Sequence, residues 1–108
     1  MTIMSDNWIQ ACPADAIEPE DVIRFDHGDQ TFAIYRTADD KYYATDGHCT
    51  HAQVHLADGF VFGTLIECPK HNGRFDFCTG EAKRLPVRTN LRTYPVKVEN
   101  GHLFLNLA

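Results

Sequence analysis

The stretch DGHCTHAQVHLADG at residues 46–59, taken with ECPKHNGRFDFCTG at 67–80, decides how this chain reads. Cys49-Thr50-His51 is followed, after sixteen residues, by Cys68-Pro69-Lys70-His71. Each polar segment thus carries one cysteine with a histidine a short step later. Thiolate and imidazole are the donors of borderline and soft metals, so the pairing points to metal rather than to crosslinks. The segments 46–59 and 69–86 also hold Gly47, Gly59, Gly73 and Gly80 and interrupt an otherwise strand-like pattern. Long irregular segments in a small domain tend to carry function.

This donor set admits two fillings. A tetrahedral zinc ion accepts two thiolates and two imidazoles and would staple the segments together. A [2Fe–2S] cluster would take both cysteines on one iron and both histidines on the other. Zinc fingers usually place the cysteines on one knuckle and the histidines on a helix, whereas here each segment gives one of each. Phe62, Phe75 and Phe77 flank the site with apolar surface that zinc would not need. The order of donors favours the cluster.

Outward from the two segments, the chain alternates with a period of two. Phe32 and Ile34 alternate with Thr31, Ala33 and Tyr35; Tyr94, Val96 and Val98 alternate with Thr93, Pro95, Lys97 and Glu99. Asn100-Gly101 is the favoured dipeptide of a tight hairpin, and Leu103, Leu105 and Leu107 resume the alternation after it. Further strands are expected near 22–26, 42–45 and 60–68, with a turn at Asp26-His27-Gly28-Asp29 and at most a short helical turn within 13–21. The fold class is all-β, built from short antiparallel strands.

The 108 residues make one domain, 1–108, with 46–86 as its metal-binding part. A composition of 44% hydrophobic and 23% charged residues excludes a disordered chain. No apolar run approaches the roughly 20 residues of a membrane helix. The first residues lack the basic and apolar regions of a secretory leader, so a cytoplasmic protein with reduced thiols is expected. The net charge of -5 argues against nucleic acid as partner. That charge is uneven: residues 1–63 carry 11 acidic against 3 basic side chains, and residues 64–92 carry 6 basic against 3 acidic. Lys70, Arg74, Lys83 and Arg84 in the positive part are candidates for steering a docking partner.

The remaining reactive side chains offer no catalytic constellation. Ser5 is the only serine. Cys12 has no evident partner, and Cys78 reads as a packed free thiol. His27 and His102 are expected in turns; His48 and His55 lie inside the first segment, beside the metal rather than on it. No role follows for His55 from the sequence. The chain is not expected to be an enzyme.

With these motifs in place, the sequence resembles the Rieske-type [2Fe–2S] ferredoxins of multicomponent, aromatic-ring-hydroxylating non-haem iron oxygenase systems. The likeness is densest over 47–86 and includes the Gly-Arg-Phe-Asp stretch and Leu85-Pro86. It implies three stacked antiparallel sheets with two loops clasping the cluster at one tip. Cys49 and Cys68 would bind the inner iron, His51 and His71 the outer one. Related respiratory proteins bridge the loops with an extra disulfide; here those places hold Val54 and Lys70. Those relatives also follow the second histidine with Gly-Ser, where this chain has Asn72 and Gly73. Phe75 and Phe77 offer no phenol near the second loop. Without such hydroxyl donors the potential should lie low in the Rieske range, roughly -150 mV.

The resemblance implies a monomeric electron carrier between a flavin-dependent, NAD(P)H-using ferredoxin reductase and a terminal Rieske oxygenase. A domain for mononuclear iron has no room in 108 residues. Two alternatives remain: the small Rieske-like subunit of an assimilatory nitrite reductase, and a zinc-stapled binding module. Two departures from the family pattern stand out. Lys70 occupies a place where many relatives carry tryptophan, and Asn72 replaces a frequent glycine.

Overall fold

A computed structural model describes residues 7–50, 52–70 and 72–107. Eleven strands follow one another among them: β1 (Trp8–Pro13), β2 (Asp21–His27), β3 (Gln30–Arg36), β4 (Tyr42–Asp46), β5 (Phe60–Phe62), β6 (Leu65–Glu67), β7 (Arg74–Asp76), β8 (Ala82–Arg84), β9 (Thr93–Tyr94), β10 (Val96–Glu99) and β11 (His102–Asn106). Single turns of 3-10 helix occupy Ala14–Ala16 and Leu56–Asp58. Among the described residues no helix is long and apolar enough to cross a membrane.

The strands form three antiparallel sheets: an outer sheet β1-β11-β10, a central sheet β2-β3-β4-β9 and a loop sheet β5-β6-β7-β8. This is the expected all-β, three-sheet architecture.

β3 explains why the sheets stack. Successive side chains of a strand point to opposite faces, and in β3 both faces are buried. Phe32 and Ile34 join Ile17, Ala44, Tyr94, Leu103 and Leu105 in one core. Ala33 and Tyr35 join Leu56, Ile66, Phe75 and Phe77 in a second core, which also contains Cys49 and Cys68. The central sheet is therefore a shared wall, and the cysteines lie on the side of the loop sheet. Each large apolar side chain fully buried on either side contributes about 1.5–3 kcal/mol.

The hairpin at Asn100-Gly101 forms as expected. Both residues take positive φ, 52° and 77°, and Glu99 pairs with His102. The left-handed pair matches the twist of β10 and β11, as type I′ turns do.

Several expectations need correction. The strand expected at 60–68 is two strands, β5 and β6, because Gly63 takes φ 59° and turns the chain back. Tyr94 and Val96 belong to different sheets: β9 pairs with β4, and β10 pairs with β11 after the break at Pro95. Val98, further along β10, is exposed. The segment 69–86 is not irregular throughout, since it contains β7 and β8. His27 and His102 sit at strand ends, not within turns.

Candidate metal centre

The first loop, 47–59, is held by backbone bonds within itself and to β3. Gly47 N–H donates to the Thr31 carbonyl (2.9 Å), Leu56 N–H to the Gly47 carbonyl (2.8 Å) and Cys49 N–H to the Val54 carbonyl (3.0 Å). His48 and His55 face each other across an isolated antiparallel bridge. Cys49 thus stands at a closed turn and is buried.

The second loop is tighter. It joins β6 to β7, and Cys68 N–H donates to the Gly73 carbonyl at 2.7 Å. At its base Arg74 Nε pairs with Glu67 Oε1 at 2.9 Å, partly shielded from solvent. Asn72 takes φ 59°. That left-handed conformation suits glycine, with asparagine the next most tolerant residue. The Gly-to-Asn departure at this place therefore conserves the backbone requirement.

A third segment closes the site. Val87 is buried against Gly73, where an added Cβ would stand 2.6 Å from Val87 Cγ1. Thr50 Oγ1 donates to the Thr89 carbonyl at 2.8 Å, joining the first loop to the third. Asp46 N–H donates to the Arg92 carbonyl at 2.9 Å, and the Tyr94 hydroxyl donates to the Asp46 carboxylate. Burial and then that carboxylate push the Tyr94 phenol up to about 12.

The structure brings Cys49 and Cys68 together. Their thiols are hydrogen-bonded to each other, and all four cysteines are free of disulfides. Burial, then the adjacent Cys49 sulfur, raises the Cys68 thiol to about 11, against the lowering effect of a bond from the Lys70 amide. A cation held by this buried pair of soft donors would take both sulfurs as thiolates. This is the donor chemistry an iron–sulfur cluster requires, so the residues fit the group. His51 and His71, the other half of the expected quartet, lie outside the described residues.

The other singled-out residues are spread around this centre. Cys12 packs at the edge of the outer core, and Cys78 at the edge of the loop-side core, where its thiol is hydrogen-bonded to the Tyr43 phenol. Of the expected docking cations, Arg74 is committed to Glu67 and to the Phe62 ring, 4.9 Å from its guanidinium carbon. It holds the loop base rather than standing free. Lys83 pairs with Glu81 in the open (3.1 Å). Lys70 and Arg84 are exposed, as is Leu85 on the third segment.

The residue that sequence reasoning left without a role is His55. It is 5% exposed, accepts from Ala57 N–H through Nδ1 (3.0 Å), and lies 2.8 Å through Nε2 from Thr31 Oγ1. Its position just ahead of a three-residue helical turn was the only local signal. Thr31 lies twenty-four residues away.

Comparison with known proteins agrees with this geometry. The Rieske [2Fe-2S] domain family matches residues 7–95. The ferredoxin component of naphthalene 1,2-dioxygenase/salicylate 5-hydroxylase systems from a Ralstonia species is 42% identical over 104 residues, covering 96% of this chain and 99% of that protein. A solved ferredoxin of Sphingomonas yanoikuyae B1 superposes with a TM-score of 0.88 at 33% identity, over 94% of this chain and 100% of that one. A chain from a complex of reduced oxygenase and oxidized ferredoxin in carbazole 1,9a-dioxygenase gives 0.86 at 33% identity, over 93% of each.

Proposed function

Because the chain belongs to the Rieske [2Fe–2S] domain family, we propose that it is the ferredoxin of an aromatic-ring dioxygenase system, taking single electrons from a flavin-dependent, NAD(P)H-using reductase and passing them to a terminal Rieske oxygenase. The observation that carries this reading is the buried, adjacent pair of free thiols Cys49 and Cys68 in a chain matched over 96% of its length by a dioxygenase ferredoxin component. The 42% identity of that match favours it over a nitrite reductase subunit, and over a zinc-stapled module.

Its cofactor is one Rieske-type [2Fe–2S] cluster. Cys49 and Cys68 would supply two thiolates to one iron, and His51 and His71 two imidazoles to the other. When bound, the group stores one electron, its formal charge going from zero to -1 with neutral imidazoles.

The chain's own residues do the rest. The core of Leu56, Ile66, Phe75 and Phe77 keeps water from the cysteine side. The Lys70 amide donates toward Cys68, which favours negative charge there. Exposed Leu85, flanked by exposed Arg84, gives a partner an apolar contact beside a basic side chain, and exposed Lys70 on the second loop adds a further cation. Such encounters are small and transient. No bond is made or broken in the transfer, so the chain acts as a carrier and not as an enzyme. The whole of 1–108 works as one unit, monomeric and cytoplasmic, without membrane or nucleic acid.

The test is an EPR spectrum of dithionite-reduced protein purified without added metal. A rhombic S = ½ signal with an average g below that of all-cysteine ferredoxins is expected. A silent sample containing zinc in place of iron and sulfide would overturn the reading.

A further inference from the structure

His55 sits where the sequence gives no reason for a histidine, and three observations define its state. First, Nδ1 accepts from Ala57 N–H. A backbone amide can only donate, so Nδ1 carries a lone pair and the neutral ring holds its proton on Nε2. Second, that Nε2–H then donates to Thr31 Oγ1, leaving the Thr31 hydroxyl proton to donate to Asp26 Oδ1 at 2.5 Å. The chain Ala57, His55, Thr31, Asp26 has one consistent direction from end to end. Third, the ring fills the space over Gly47: a Cβ there would stand 2.4 Å from His55 Nε2. It also meets the His48 ring edge-to-face, with centroids 5.6 Å apart.

Gly47 and His48 are the two residues that lead into Cys49. We propose that His55 is a positioning residue for the electron-transfer centre: in its Nε2–H form it clamps the backbone ahead of Cys49 between the Leu56–Asp58 turn and Thr31 of β3, and so sets the orientation of the first ligand loop. This inference rests on the cluster reading above. The surrounding charges agree with a neutral ring. Burial, then Arg24 and His48, lower its pKa against the opposing pull of Asp58 and Asp26.

Four variants of the cluster-loaded protein test it: His55→Ala, His55→Asn, Thr31→Val and Thr31→Ser. Asn keeps an acceptor for the Ala57 amide, and Ser keeps the hydroxyl that Val removes. The readouts are the g values of the reduced protein, the rate of iron release to a chelator, and the 15N tautomer of the His55 ring. His55→Ala and Thr31→Val should shift the g values and release iron about tenfold faster, the scale of one or two lost buried hydrogen bonds. Thr31→Ser should match the parent, and His55→Asn should fall between. Parent-like g values in both His55→Ala and Thr31→Val would overturn the inference, as would an Nδ1–H tautomer in the parent. Should His55→Ala not fold, the Thr31→Val and Thr31→Ser pair decides alone. A parent without the Rieske signal would instead count against the cluster reading itself.

Discussion

Tyr35 and Phe77 stack face to face, their ring planes 1° apart and their centroids separated by 4.3 Å. One belongs to the central strand β3 and the other follows β7, so this contact joins the central sheet to the sheet that carries the second cysteine. Both rings are fully buried. Beyond the area they remove from water, such a pair adds about 0.5–1.5 kcal/mol.

Phe77→Ala should therefore destabilise the protein by about 3–5 kcal/mol, the range for a large aromatic removed from a core. Urea unfolding of the loaded protein measures this. A loss under about 1 kcal/mol would mean that the two sheets are held together elsewhere.

Cys68→Ala should abolish cluster binding, with loss of iron, of sulfide and of visible absorbance. Cys78→Ala should retain all three, because that thiol packs at the core edge against the Tyr43 phenol. Stripping iron from the parent should also lower its stability, since a group bound only by the folded chain stabilises it by mass action. Metal analysis and thermal unfolding check both points.

Stability should fall as the solution is acidified below pH 6.5. The His55 ring is held below its ordinary pKa of about 6.5, first by burial. The unfolded chain therefore binds a proton more readily, and the contribution is complete above that value and lost as pH falls through the folded-state pKa. In His55→Asn this part of the pH dependence should disappear. The comparison is the midpoint of urea unfolding, parent against variant, at pH 5 and pH 7.5.

The reduction potential should lie low in the Rieske range, about -150 mV. Hydroxyl donors to the site would raise it, and two of those among the described residues are engaged elsewhere. Thr50, next to Cys49, donates to the Thr89 carbonyl, and Tyr35 is bonded to Thr45. A potentiometric titration with a clearly positive midpoint would contradict this account.

Lys70→Glu with Arg84→Glu should slow electron transfer to the oxygenase at low salt, with the difference shrinking as salt rises. Arg74→Glu should behave differently. It breaks a partly buried pair with Glu67, so destabilisation of the second loop should accompany any change in rate. Stopped-flow transfer at several ionic strengths separates the two effects.

What the sequence disclosed follows from how local each signal is. The Asn100-Gly101 hairpin is legible because a dipeptide alone demands two left-handed residues. The cysteine pair is legible because thiols and imidazoles at that spacing have few other uses. β7 and β8 escaped notice because each has three residues, too short a run for alternation to register, and only Phe75 is deeply buried among them. The break at Pro95 leaves the alternation of Tyr94 and Val96 intact while moving them to separate sheets. Local pattern records which face a residue takes, not which neighbour receives it. The bond from His55 to Thr31 was invisible for the same reason: it forms only when two distant segments meet.

The double use of β3 bears on how such a carrier can change over time. The core of Ile17, Phe32, Ile34, Leu103 and Leu105 contains no cysteine of the metal pair, and the core across the wall contains both. Substitutions in the first can raise or lower robustness while leaving the electronic surroundings of the metal alone. Those in the second alter both together. Selection can thus adjust durability and redox tuning as nearly separate traits, with the alternation of one strand keeping them apart.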